Sequence, residues 1–172
     1  MNITRIAART TLAASVALGA TAFAAPAFAG GNGHFIGNAT SASLSGVNLV
    51  VSFKEAGLAS GSVETITASA HLDATYQCVN GGGSNPADPK KTSISTDVSQ
   101  SGQFTAGKNG NVVGSLTLTP PAPTTVLDCP NGQTATLTVV TYTNVTVTDS
   151  TSGAFYAIAG TFTGGTKVGH GK

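Results

Sequence analysis

Hydrophobic and polar residues alternate along most of this chain. From Ile66 to Cys78 the period is two without a break. Ile66, Ala68, Ala70, Leu72, Ala74, Tyr76 and Cys78 share one face; Thr67, Ser69, His71, Asp73, Thr75 and Gln77 share the other. A period of two predicts a half-buried strand rather than a helix. Cys78 falls on the apolar face. That face is rich in alanine, so the opposing layer must approach closely or bring larger side chains.

Other segments carry the same pattern. Leu44 to Phe53 reads as one strand, with Val47, Leu49, Val51 and Phe53 in phase. Ile94 to Phe104 is a weaker one, and Val112 to Thr119 is stopped by Pro120-Pro121. Thr125, Leu127 and Cys129 make a short one, and Gln133 to Thr148 a long one. The phase of the long strand slips where Val139 and Val140 are adjacent, which predicts a bulge there and leaves Tyr142 pointing outward. Phe155 to Thr163 closes the set. Lys108-Asn109-Gly110, Pro130-Asn131-Gly132 and Ser152-Gly153 supply turns. Seven or so strands with regular turns predict an all-β fold, an antiparallel β-sandwich that is immunoglobulin-like or jelly-roll-like, with a closed barrel as the alternative. The chain has no tryptophan, so the buried Trp of antibody domains cannot be used to decide the topology.

Met1 to Ala29 has a different character. Arg5 and Arg9 precede a small apolar run from Thr11 to Ala25, and Ala27-Phe28-Ala29 is a small-x-small cleavage site. This is the layout of a secretory signal peptide, with Gly30 as the first mature residue. The apolar run is short of the roughly 20 residues needed to span a bilayer. Residues 30–172 then form one secreted β domain, with 30–40 and 164–172 expected to be flexible. No membrane anchor is read in the mature chain.

Removing the leader changes the charge. The remaining 143 of 172 residues hold six lysines, no arginine and seven acids, a net charge of −1. Nucleic-acid binders rely on basic patches and on bidentate arginine, so nucleic acid is excluded as a partner class. Two cysteines remain, Cys78 and Cys129. In an oxidising compartment they predict one disulfide, closing a loop of 52 residues and contributing about 4 kcal/mol by loop-closure entropy. A free thiol or a metal pair is the alternative; no histidine or third cysteine stands at ligand spacing.

Candidate chemistry is sparse. The acids Glu55, Glu64, Asp73, Asp88, Asp97, Asp128 and Asp149 form no pair along the sequence, so a two-carboxylate glycosidase site is not indicated. His71 and Asp73 lie at i and i+2 on one polar strand face. They would be two members of a hydrolytic triad if a serine came from elsewhere, but a solvated strand face is the simpler reading. No nucleophile-elbow motif is present. His34 and His170 sit near the termini. Asn85 and Asp88 offer oxygen ligands to calcium without an EF-hand pattern. Asn38-Ala39-Thr40 and Asn144-Val145-Thr146 match the N-glycosylation pattern, which recurs by chance in a Thr-rich chain. No cofactor or metal is expected.

One longer stretch has a specific look. Thr75-Tyr76-Gln77-Cys78-Val79-Asn80-Gly81-Gly82-Gly83-Ser84-Asn85-Pro86, then Pro89-Lys90, is followed by Gly114-Ser115-Leu116-Thr117, Cys129-Pro130-Asn131-Gly132-Gln133 and Tyr142-Thr143-Asn144-Val145-Thr146. Together these resemble a family of small secreted β-rich proteins of actinobacteria, over most of Phe35 to Phe162. The resemblance implies secretion and one β domain, and it carries no catalytic residue with it. By composition the chain is also similar to the enediyne-binding apoproteins, which are immunoglobulin-like carriers with two disulfides where this chain has at most one.

The expected function is that of a secreted, non-enzymatic structural or interaction module acting outside the cell or loosely on the cell wall. Its partner would be a protein or a cell-wall glycan. The alternative is a small-ligand or carbohydrate-binding carrier. It would use the loops after Cys78 and Cys129, with Asn80, Asn85, Asn131 and Tyr142 as the binding residues.

Overall fold

A computed structural model describes residues 32–81, 83, 85–87 and 89–168. The leader at 1–29, Asp88 and His170 lie outside the described residues. The chain forms two antiparallel β-sheets. Its strands are β1 (His34–Phe35), β2 (Ser41–Ser45), β3 (Asn48–Ala56), β4 (Val63–Asn80), β5 (Lys91–Thr105), β6 (Val112–Leu118), β7 (Gln133–Asp149), β8 (Phe155–Ile158) and β9 (Phe162–Gly164).

Among the described residues, nine strands fill seven positions. β1 and β2 lie end to end along the same margin of β3, with the 3-10 turn Gly37–Ala39 between them. β8 and β9 lie end to end along β7 in the same way. One sheet therefore runs β1/β2, β3, β6, and the other runs β5, β4, β7, β8/β9. By position this is 1-2-5 facing 4-3-6-7. It is the winding of an immunoglobulin constant domain with the fourth strand moved to the second sheet. The expected sandwich is present, in its immunoglobulin-like rather than jelly-roll form.

The alanine face of β4 packs as its composition demands. Ala68, Ala70 and Ala74 are buried, and the facing sheet brings Leu49, Val51, Phe53, Leu116 and Leu118. Phe53 meets Phe104 edge-to-face at 5.1 Å between ring centroids. Gly114 makes room for that ring: a Cβ there would lie 2.5 Å from Phe104 Cε1 and 2.9 Å from Phe53 Cζ.

Four expectations change. Leu44 to Phe53 is a hairpin, because Gly46 at φ 64° opens a two-residue turn between Ser45 and Asn48. Thr125 to Cys129 is not a strand: Pro123–Val126 forms one helical turn, started by Pro123 at its first positions. Phe155 to Thr163 breaks in two around Gly160, at φ 132°. Within the segment expected to be flexible, residues 34–40 instead pack along β3, with Phe35 buried in the core. No helix among the described residues is long and apolar enough to cross a membrane.

Candidate functional site

The cysteines are bonded, Cys78 to Cys129, with Cα atoms 5.6 Å apart. Cys78 lies within β4, two residues before its end, and Cys129 lies in the connection ahead of β7. The bond brings the two loops side by side. Lys90 Nζ donates to the Asp128 carbonyl at 2.7 Å, and the Cys78 N–H donates to the Lys90 carbonyl at 2.9 Å. The Asn85 side-chain oxygen accepts from Gln77 Nε2. The Asn80 carbonyl closes a turn with the Gly83 N–H at 2.9 Å, and Asn131 is exposed. Of the three asparagines, Asn85 holds the loop with its side chain and Asn80 with its main-chain carbonyl alone. The depression at its foot, about 250 Å³, is lined by Leu127, Asp128, Cys129 and Gln133 among others, and by none of the asparagines.

Tyr142 does not belong to this surface. It is fully buried, and its hydroxyl donates to the Val47 carbonyl at 2.9 Å. The reason is a bulge at Thr138: Thr75 pairs with Val139 and Tyr76 with Leu137, so Thr138 is the extra residue. The phase shifts there, leaving Val139 outside and turning Val140 and Tyr142 inward. A second bulge follows at Asn144, at φ 51°, between Thr143 and Val145.

The tyrosines hold the walls of a cleft that sequence reading missed. It has a volume of about 410 Å³ and is lined by Val47, Asn48, Pro120, Pro121, Leu137 and Thr166, among others. Tyr142 grips one wall through Val47, and Tyr76 grips the other by donating to the Pro121 carbonyl at 2.9 Å. Burial pushes the Tyr76 hydroxyl up, and burial with Tyr76 alongside pushes Tyr142 up to about 12. Both therefore stay protonated donors. The signal in the sequence was Pro120-Pro121-Ala122-Pro123, a stiff segment that cannot enter a ladder.

On the outer face of the sheet that runs β5, β4, β7, β8/β9, cross-strand register collects the residues around His71. His71 sits opposite Asp97, and Asp73 opposite Ser95. His71 Nδ1 lies 2.8 Å from Asp97 Oδ1, and Nε2 lies 2.9 Å from Ser95 Oγ. The serine of a triad is thus within reach. The surroundings do not suit acyl transfer. The Asp73 carboxylate is 3.8 Å from His71 Nε2 and directly across from Ser95, so an oxyanion forming there would meet a negative charge. Ladder N–H groups lie in the plane of the sheet and not above it. The Asp97 side chain is 87% exposed, leaving the pair screened by water.

The same face continues in both directions. Between Thr65 and Thr75 on β4, Ser93 and Gln103 on β5, and Thr141 and Thr148 on β7, no outward residue is apolar. Hydroxyls pair across strands: Thr67 with Ser101 at 2.7 Å, Thr75 with Ser93 at 3.0 Å, Thr141 with Thr163 at 3.2 Å. A shallow depression of about 480 Å³, lined by Ser69, His71, Asp97, Ser99 and Asn144 together with Ala70 and Val98, marks its middle. No family model, curated protein or solved structure matches this chain, so a functional reading rests on this geometry.

Proposed function

We propose that the protein is an extracellular, non-enzymatic interaction module that engages a cell-surface protein or glycan through the outer face of β5, β4 and β7. The observation that carries this reading is the continuous field of Ser and Thr hydroxyls on three long strands, with His71 and Asp97 at its centre. Such a face offers many neutral donors and acceptors to a polar partner and little net charge to steer one. The disulfide fits an oxidising compartment, and the leader-like start and the actinobacterial resemblance point the same way.

A second reading is favoured by the cleft between Val47 and Pro121. Its mostly apolar lining and tyrosine-held walls suit a small ligand, in place of the asparagine loops first suggested by the sequence.

One experiment separates the two. The protein is incubated with cell-wall fractions and glycans, alongside a variant carrying Thr67→Lys and Ser99→Lys. Binding is scored by pull-down and by melting temperature. Capture of the unmodified protein and its loss in the variant, with melting changed by only about 0.5 kcal/mol equivalent per site, supports the outer face. Capture or thermal shift that survives in the variant transfers the function to the cleft, and no binding to any fraction defeats the surface reading for these partners.

A further inference from the structure

The end of the sandwich away from the disulfide buries three acids together. Glu55 on β3, Glu64 on β4 and Asp149 at the end of β7 face inward, with exposures of 0%, 3% and 2%. Each uses one oxygen. Ser152 Oγ donates to Glu55 Oε1 at 2.6 Å, Ser62 Oγ donates to Glu64 Oε1, and the Thr151 N–H donates to Asp149 Oδ1 at 2.8 Å. The other three oxygens, Glu55 Oε2, Glu64 Oε2 and Asp149 Oδ2, are buried with no hydrogen-bond donor.

Among the described residues no positive group answers them. His34 on β1 turns to the Asn32 carbonyl. Lys54 lies at the alternate phase of β3, facing away from Glu55. β6 presents Val112 beside Glu55, and the turn 150–154 has no charged residue. Among the described residues the ion pairs all involve His71, and no group of three acids, histidines or cysteines is arranged to hold a metal ion. Three desolvated carboxylates without a counter-charge are costly, and the usual remedy is to neutralise some of them.

We propose that Glu55, Asp149 and Glu64 form a proton-sharing lock, in which protons on Glu55 Oε2 and Glu64 Oε2 are donated to Asp149 and fasten the N-terminal segment and the β7–β8 turn to the core. The lock binds what lies over it. Gly33 passes so close that a Cβ there would stand 2.9 Å from Glu55 Oε1 and 2.6 Å from Ser152 Cβ. Phe35 of β1 pairs directly with Glu55. Burial, above all, pushes Glu55 up to about 7 and Glu64 upward as well, with Asp149 adding to both.

The sign follows from linkage. Between the unfolded value of 4.5 and about 7, the folded protein binds more protons at Glu55 than the unfolded chain does. Stability is therefore full below about pH 4.5, falls as pH rises through 7, and levels off above that. Glu64 acts in the same direction.

The test is thermal unfolding of the purified protein at about pH 5 and about pH 8, with and without calcium chloride, beside Glu55→Gln and Glu64→Gln and a carbon-13 titration of the wild-type glutamate carboxyls. The wild type is expected to melt roughly 5–10 °C lower at the higher pH. Glu55→Gln, which keeps a donor to Asp149 without a titrating proton, should more than halve that drop and melt above wild type at pH 8. The Glu55 carboxyl should titrate near neutrality, a measurement that stands even if a variant fails to fold. A pH-independent melting temperature, or a Glu55 midpoint near its ordinary value, overturns the lock. A calcium-induced rise at pH 8 that disappears in Glu55→Gln also overturns it, by identifying a cation site.

Discussion

Tyr142 is where a single side chain has most to say. Its ring is fully buried and its hydroxyl reaches Val47 across the sandwich, with the Leu118 carbonyl at 3.4 Å as a second acceptor. Removing the hydroxyl leaves the part-buried Val47 carbonyl without this donor. Tyr142→Phe should cost about 1–3 kcal/mol in chemical denaturation, with the loss traceable to the β2–β3 turn by amide exchange. In the wild type, absorbance titration should find one tyrosine ionising only near pH 12, the value to which burial and Tyr76 push it. The sequence placed Tyr142 outside because alternation was counted through the wrong register. A bulge was legible in the adjacent Val139 and Val140; that Thr138 is the residue left over was not, because only the partner strand decides which residue goes unpaired. The acid lock was illegible for a similar reason. Glu55 and Glu64 stand nine positions apart and Asp149 a further 85, and nothing along the chain shows that three strand ends bring them together.

At the scale of elements, alternation read well wherever a strand was long and covered on one face. β4, β5, β6 and β7 all lie where the pattern put them. It failed at the short elements, where glycine and proline outweigh phase: Gly46 folds a presumed strand back on itself, and Pro123 starts a helical turn. Gly114 is a further case of a residue whose reason lies on another element. Within β6 a glycine weakens the strand, yet here it admits the Phe104 ring from β5 against Phe53. Gly114→Ala should therefore destabilise the protein by about 1–3 kcal/mol through overpacking, despite the better strand propensity of alanine. An unchanged or raised melting temperature would mean that the ring has room to move.

For the whole molecule, fold class and the disulfide could be read from the chain, while the surfaces could not. A half-buried strand announces its own two faces; which strands stand side by side, and so which polar residues form one field, depends on the winding. His71 and Asp73 were singled out on one strand, but Ser95 and Asp97 joined them only through the pairing of β4 with β5. The disulfide has a consequence of a mechanical kind. It spans 51 positions of chain, and those include all of β5 and β6. If the molecule is stretched between its ends, that length is withheld from extension. Force spectroscopy on the oxidised protein should give an unfolding contour shorter by about 170 Å than on the reduced protein. At a cell surface such a module would act as a tether of limited give, with a reserve of slack released only by a reductant.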